Sequence, residues 1–253
     1  MENRIIIEPA KKIREIARTS LKGNWQKVFV GIAIYYFLSV VVSSVLDLFF
    51  TSVNYIQLYT GEYVPIRMYY ASPIYDFVLS GPLMLGIAMF LLAYFRKHTI
   101  DYTLTFEGFS MFVKGFLLYL LYSVKIFLWS LLFIIPGLIA AFRYSQAFYL
   151  RVDHPEWTTS QCLAESSRLM KGNKAKLFGL GLSFIGWYML ASIPSVIFGF
   201  AELSGIMSIA VAAVLSIPAL FVDLYSMMSE VVFYELLTGN LVIEEARPFT
   251  EIE

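Results

Sequence analysis

Apolar residues in this chain gather into long unbroken runs rather than into the alternating or one-faced patterns of water-soluble elements. A helix rising 1.5 Å per residue needs about 20 residues to cross a hydrocarbon layer of ~30 Å. The runs predict six membrane-spanning helices, at 25–50, 74–95, 115–135, 136–153, 175–200 and 206–237. The stretch from Phe116 to Leu150 would make a helix of ~52 Å, too long for one crossing. Ile135-Pro136-Gly137 lies within it. Proline removes a backbone donor and glycine tolerates a turn, so a tight hairpin is expected there.

The polar positions test that division, because Lys and Arg concentrate on the cytoplasmic side of membrane proteins. Lys11, Lys12, Arg14, Arg18, Lys22 and Lys27 lie before or at the first run. Arg96, Lys97 and Lys114 follow the second, and Arg151, Arg168, Lys171, Lys174 and Lys176 follow the fourth. The 51–73 connection holds only Arg67, and 201–205 holds no basic residue. With six spans every basic cluster faces the cytoplasm, as do both termini. Without the Pro136 hairpin the 151–176 cluster moves outside. Tyr55, Tyr59, Tyr63, Tyr69, Tyr70 and Tyr75 crowd the opposite connection, where amphipathic rings favour the headgroup level.

Short amphipathic segments precede the hairpins. Over 8–22, Ile13, Ile16, Ala17 and Leu21 line one face and basic residues cover the rest. Over 158–172, Thr158-Thr159-Ser160 supplies N-cap candidates, and Leu163, Ser167 and Met170 form a weaker stripe. Phe106, Phe109, Phe112 and Val113 give a shorter version over 103–114. Lys22-Gly23-Asn24, with Lys27 and Phe29, recurs as Lys171-Gly172-Asn173 with Lys176 and Phe178. Gly-Asn after a basic helix suits a left-handed cap that turns the chain sharply. The expected fold is all-α and polytopic. One membrane domain holds three hairpins (25–95, 115–153 and 175–237), each led by an interfacial helix, and a cytoplasmic tail over 240–253.

Composition agrees: 58% of residues are hydrophobic and 15% charged, against ~25% charged in soluble domains. Net charge is zero, so nothing points to nucleic acid. Cys162 is the only cysteine, which excludes an intrachain disulfide and a cysteine metal site. The first run is too long for a cleavable signal peptide and lacks a small-residue cleavage site, so it is expected to be retained. His98 and His154 stand apart, and no zinc, nucleophile-elbow or nucleotide-loop motif is present. No cofactor, metal or catalytic residue is assigned.

Five features together, Gly81-Pro82, Ile135-Pro136-Gly137, Arg143-Tyr144-Ser145, Asp153 and Lys171-Gly172-Asn173, resemble a family of bacterial integral membrane proteins. That family is catalogued as domain of unknown function 975. The closing segment Phe233-Tyr234-Glu235-Leu236-Leu237-Thr238-Gly239 resembles it too, and the likeness extends from about Ile13 to Gly239. His154 departs from the small polar residue the pattern implies. The resemblance implies a Gram-positive cytoplasmic membrane and no established activity. A more distant likeness to membrane domains accompanying some glycerophosphodiester phosphodiesterases hints at lipid-related work.

Ionisable groups within spans are the sharpest functional clues, since each costs at least ~2.5 kcal/mol near the bilayer centre unless paired or hydrated. Lys125, Arg143, Asp223 and Glu230 are such groups. They read either as an interior polar cluster lining a cavity or as a salt-bridge clamp between the second and third hairpins. Lys22, Asn24, Lys27, Lys171, Asn173 and Lys176 are candidate contacts for lipid headgroups, or simple helix stops with solvated charges. Four-residue spacings of small residues, Ala191-Ser195-Gly199 and Ser208-Ala212-Ser216, suit close helix packing or a dimer face. Pro82, Pro194 and Pro218 are expected to kink their spans.

The expected function is non-enzymatic binding or translocation of an amphiphile such as a lipid, a hydrophobic peptide or a small metabolite. The alternative is a scaffold whose basic face recruits a partner or anionic lipid. Expected partners are membrane lipids, with a homo-oligomer or a second membrane protein left open.

Overall fold

The computed structural model describes residues 4–198 and 205–243. Five helical runs are long and apolar enough to cross a membrane: Trp25–Phe49, Ala71–Lys97, Phe112–Leu132, Lys174–Phe198 and Ile217–Thr238. The chain is a mostly helical, multi-pass membrane protein.

α1 (Ala10–Leu21) begins after the extended Pro9. Its Ile13, Ala17 and Leu21 recur every four residues and are fully buried in the main core. The helix packs on α10 (Lys174–Leu182) and α13 (Ile217–Thr238), so protein covers its apolar face. The first span is α2 (Trp25–Tyr36), a π-helical turn over Phe37–Val41, and α3 (Val42–Phe49), without interruption.

The next connection adds a β-hairpin to the expected helical fold. β1 (Thr51–Gln57) and β2 (Tyr63–Tyr69) pair as an antiparallel hairpin, with Tyr55 opposite Pro65. Leu58 N–H donates to Glu62 O (2.8 Å) and Gly61 N–H to Leu58 O (2.9 Å). Gly61 has φ 86°, which only glycine adopts without strain. The tyrosines and β-branched residues read from the sequence as an interfacial belt also suit a pleated ribbon.

α4 (Ala71–Lys97) is the shared wall of two cores. One core joins α1, α2, α4, α10 and α13; the other joins α4 to α6 (Phe112–Leu132) and α7 (Ile134–Tyr144), and both take buried residues from α8 (Ala147–Asp153) and α9 (Thr159–Leu169). α5 (Thr103–Glu107) is all that forms of the expected helix over 103–114, because Phe112 and Val113 open α6 instead.

Two prolines act differently from expectation. The chain breaks at the extended Phe133, ahead of Pro136, and Pro136 sits in the first turn of α7. There the missing N–H costs nothing, since the first four helical N–H groups have no partner in any case. α6 and α7 then pack so closely that a Cβ on Gly137 would lie 2.0 Å from the Ser130 hydroxyl oxygen. Likewise the expected helix over 206–237 is two helices, α12 (Gly205–Leu215) and α13, divided at Ser216 with Pro218 starting the second. Pro194 lies inside α11 (Ile185–Phe198), and the fifth span bends at Ser183-Phe184 instead. Arg14 Nη1 donates to the Ser183 carbonyl at that bend (3.2 Å).

α9 starts at a capping box: the Thr158 hydroxyl accepts from Gln161 N–H (3.3 Å), and Thr158 N–H donates to Gln161 Oε1 (2.7 Å). Its buried face is Cys162, Leu163, Ser166, Leu169 and Met170, one position away from the expected Ser167. Ser166 is tolerated in the core because its hydroxyl donates to Arg143 O (3.0 Å) and accepts from Gln146 N–H (3.2 Å). Gly199, the acidic Glu202 in the 201–205 connection, and Glu244-Glu245 in the tail lie outside the described residues.

Candidate functional site

α13 carries the interior carboxylates. From Met228 to Leu237 it is buried at every position but one, where its neighbours Ser229, Val231 and Val232 are fully enclosed. The exception is Glu230, which is exposed. Seven residues separate it from Asp223, two turns or about 10 Å along the same face. Tyr188 of α11 donates to Asp223 Oδ1 (2.7 Å). Glu230 makes no hydrogen bond or ion pair with the described residues.

Phenols from four other helices lie within electrostatic range of these two carboxylates. Glu230 interacts electrostatically with Tyr122 of α6, Tyr149 of α8 and Tyr188 of α11. Asp223 interacts with Tyr35 of α2, and Tyr119 of α6 interacts with both Tyr35 and Tyr122. Tyr149 is itself held by stacking on Tyr234 of α13 (5.2 Å between centroids). The extensive packing of α13 is with α1, α2, α4 and α11, whereas that of α6 is with α4, α7 and α9. Asp223 and Glu230 thus lie at span depth on one face of α13, Asp223 bonded to Tyr188 and Glu230 without a hydrogen-bond or ion-pair partner among the described residues.

The two interior cations are elsewhere. Lys125 Nζ lies 5.6 Å from the Tyr144 ring centre and Arg143 Cζ lies 5.5 Å from that of Trp129, all on the α6–α7 pair. Such contacts contribute about 0.5–2 kcal/mol each. Among the described residues no ion pair links either cation to Asp223 or Glu230. The structure thus leaves anions on α13 and cations on α6–α7.

At the opposite, basic end, the candidate headgroup residues divide. Gly23 (φ 84°) and Gly172 (φ 91°) are both left-handed, and Asn24 and Asn173 both open the next helix, so the repeated tripeptide builds one turn twice. Lys22 and Lys27 are exposed and Asn24 is half-buried. Asn173 is fully buried and is used by the chain itself. Its Oδ1 accepts from Ile6 N–H (2.9 Å), and its Nδ2 donates to Arg4 O (2.7 Å) and Leu169 O (2.9 Å). Lys176 Nζ donates to Ile7 O (3.0 Å). Asn173 and Lys176 bind the start of the chain, and Lys171 is exposed like Lys22. Nearby, Arg168 beside Glu165 (2.6 Å) holds that carboxyl below its ordinary range.

One network was not legible beforehand. Arg96 at the end of α4 donates through Nη1 and Nη2 to Asp153 (2.6 and 2.8 Å) and through Nε to Glu235 (2.8 Å). Tyr234 O–H donates to Asp153 Oδ2 (2.7 Å). Glu235 is 3% exposed at its side chain, so the guanidinium is its counter-charge inside the protein. The network fastens α4, α8 and α13 together.

A family model described as protein of unknown function, DUF975, matches residues 7–142 and 131–241. The chain belongs to this family. No curated protein and no solved structure matches it. Within this DUF975 chain, the residues that carry the resemblance are mostly joints of the scaffold. Asp153 and Glu235 meet on Arg96, and Asn173 holds the chain start. Gly137 lets α7 approach α6, and a Cβ on Gly81 would lie 2.2 Å from Gly115 O, where α4 crosses α6. Membership in DUF975 therefore accounts for the frame of the bundle rather than for what occupies it.

Proposed function

We propose that the protein binds or translocates a membrane amphiphile without chemically altering it, and that the amphiphile's head is a cationic ammonium group. The observation that carries this is Glu230: exposed inside an otherwise buried helix segment, without a hydrogen-bond or ion-pair partner among the described residues, and within electrostatic range of three phenols. A carboxylate in a span is costly unless it is paired or hydrated, and aromatic faces attract organic cations. Asp223 and Tyr188, two turns away, extend the same wall, so a head entering between α6 and α13 meets acceptors along its path. The apolar tail of such a ligand remains in the lipid.

The same reading places six spans in a bacterial cytoplasmic membrane, both termini inside. The sixth crossing is α7 with α8, together about 20 residues or ~30 Å. Lys114 at the start of α6 donates to Pro155 O just after α8 (2.9 Å), and Arg96 ends α4 beside Asp153 at the end of α8. An excursion along α6 that begins and ends at one level supports a return through α7 and α8.

Equilibrium binding to the purified full chain in a neutral detergent tests the reading. The probes are tetradecyltrimethylammonium, tetradecyl sulfate and an uncharged tetradecyl glycoside. The expected result is saturable binding of the ammonium probe alone, weakened about tenfold by Glu230→Gln, equivalent to ~1.4 kcal/mol. Equal binding of all three probes, or an unchanged affinity in the variant, would overturn it.

A further inference from the structure

The β-hairpin has two edges, and they are not equivalent. In an antiparallel pair, alternate residues direct their N–H and C=O groups toward the partner strand, and those between direct them away. The Leu58–Glu62 hydrogen bond fixes that phase. Counting back through the register, Ile56–Val64 and Asn54–Ile66 are the inward pairs, and Val53–Arg67, Tyr55–Pro65 and Gln57–Tyr63 are the outward ones. Pro65 therefore stands at the middle of β2's outer edge, where it offers no donor. Arg67 adds a charge to the same strand. Proline and charge are the two commonest devices that keep an edge strand from pairing.

β1 carries neither device. Thr51–Gln57 contains no charged residue and no proline. The outward N–H groups of Val53, Tyr55 and Gln57 donate to no backbone carbonyl among the described residues. Val53 is 48% exposed and Tyr55 66% exposed, so nothing within the described chain covers this edge. A two-stranded ribbon by itself is marginally stable in water, and three or more strands are the usual minimum.

We infer that the open edge of β1 pairs with β1 of a second copy of this chain, giving a four-stranded sheet across a two-fold axis. The occupant follows from the edge itself. Antiparallel pairing about Tyr55 sets Tyr55 of one copy opposite Tyr55 of the other and Val53 opposite Gln57. All of these are outward-facing, and together they form about six new backbone hydrogen bonds. The pairing is self-complementary: no like charges meet, because the strand has none, and the central pair is aromatic on aromatic. It also closes. Since β2 is blocked by Pro65, a dimer exposes no further open edge, and growth stops at two copies instead of running on as a fibre.

The test is disulfide trapping of the full-length protein in its native membrane. Cys162, the only cysteine, is buried and will not interfere. Cα atoms of a hydrogen-bonded antiparallel pair lie ~5.5 Å apart, within disulfide range. Under mild oxidation Tyr55→Cys is expected to give a band at twice the monomer mass, at least about five times stronger than Arg67→Cys on the blocked edge. Val53→Pro added to Tyr55→Cys is expected to abolish that band. Position 53 donates nothing to β2, so the hairpin itself stays intact. The inference is overturned if Tyr55→Cys stays monomeric, if Arg67→Cys cross-links equally, or if Val53→Pro leaves the yield unchanged. A Tyr55→Cys adduct with a protein of another mass overturns the second copy as occupant.

Discussion

Charged groups in the helices of this protein live in two contrasting settings. At the basic end, Arg96 bonds both Asp153 and Glu235, and Tyr234 donates to the same Asp153 carboxylate. Within the spans, Asp223 has a single phenol and Glu230 has no hydrogen-bond partner among the described residues, while Lys125 and Arg143 rest on aromatic faces of another helix pair. The first arrangement fastens three helices. The second leaves bonding capacity in reserve at span depth. Paired charge marks the frame, and unpaired charge marks the candidate site.

That contrast is sharpest in what substitutions do to stability. Replacing Arg96 with Met strands the buried Glu235 and Asp153 together, and removing one partner of a buried pair costs about 3–5 kcal/mol. Thermal or denaturant unfolding in mixed micelles is expected to show the largest loss of any change named here. A loss below ~1 kcal/mol would mean that the network is not what holds α4, α8 and α13.

The two Lys-Gly-Asn turns give the intermediate case. Asn173→Ala removes three hydrogen bonds and leaves the Ile6 N–H without its acceptor, for an expected loss of about 2–3 kcal/mol and faster proteolysis ahead of α1. Asn24→Ala, at the half-buried copy, is expected to cost under ~1 kcal/mol. Equal losses at both positions would erase the distinction between a turn that stands alone and one that clasps the chain start.

Glu230→Gln has the smallest expected effect on stability, within about 0.5 kcal/mol, because no partner is lost. Its effect is expected in ammonium-probe binding instead. A strongly destabilised Glu230→Gln protein would place this residue with Arg96 and Glu235, as part of the frame.

Much of the frame was legible in the sequence. Apolar runs set four of the five long apolar helices to within a few residues, while the expected 206–237 helix divides at Ser216, and the repeated tripeptide announced a turn that the structure builds twice. The prolines were legible as breaks but not as to kind. Pro136 and Pro218 start helices, while Pro194 passes through one, and only the neighbouring backbone decides between those uses. The hairpin over 51–69 was read as an aromatic belt, since tyrosine suits both an interface and a strand. The four interior charges were found from their depth. Their partners were not, because side chains on a span carry no record of which helix lies opposite.

By itself the sequence determined that this chain crosses a membrane several times, where several of its helix breaks fall, and which few charges lie at span depth. These follow from local properties: the cost of apolar surface in water, the missing proline donor, the freedom of glycine. The tertiary structure alone decided which charges meet. Asp153 and Glu235 find Arg96 across 57 and 139 positions of sequence, while Glu230, one helical turn and a half from Glu235, finds none among the described residues. Pairing depends on which helix faces lie together, and that is settled only when the bundle packs.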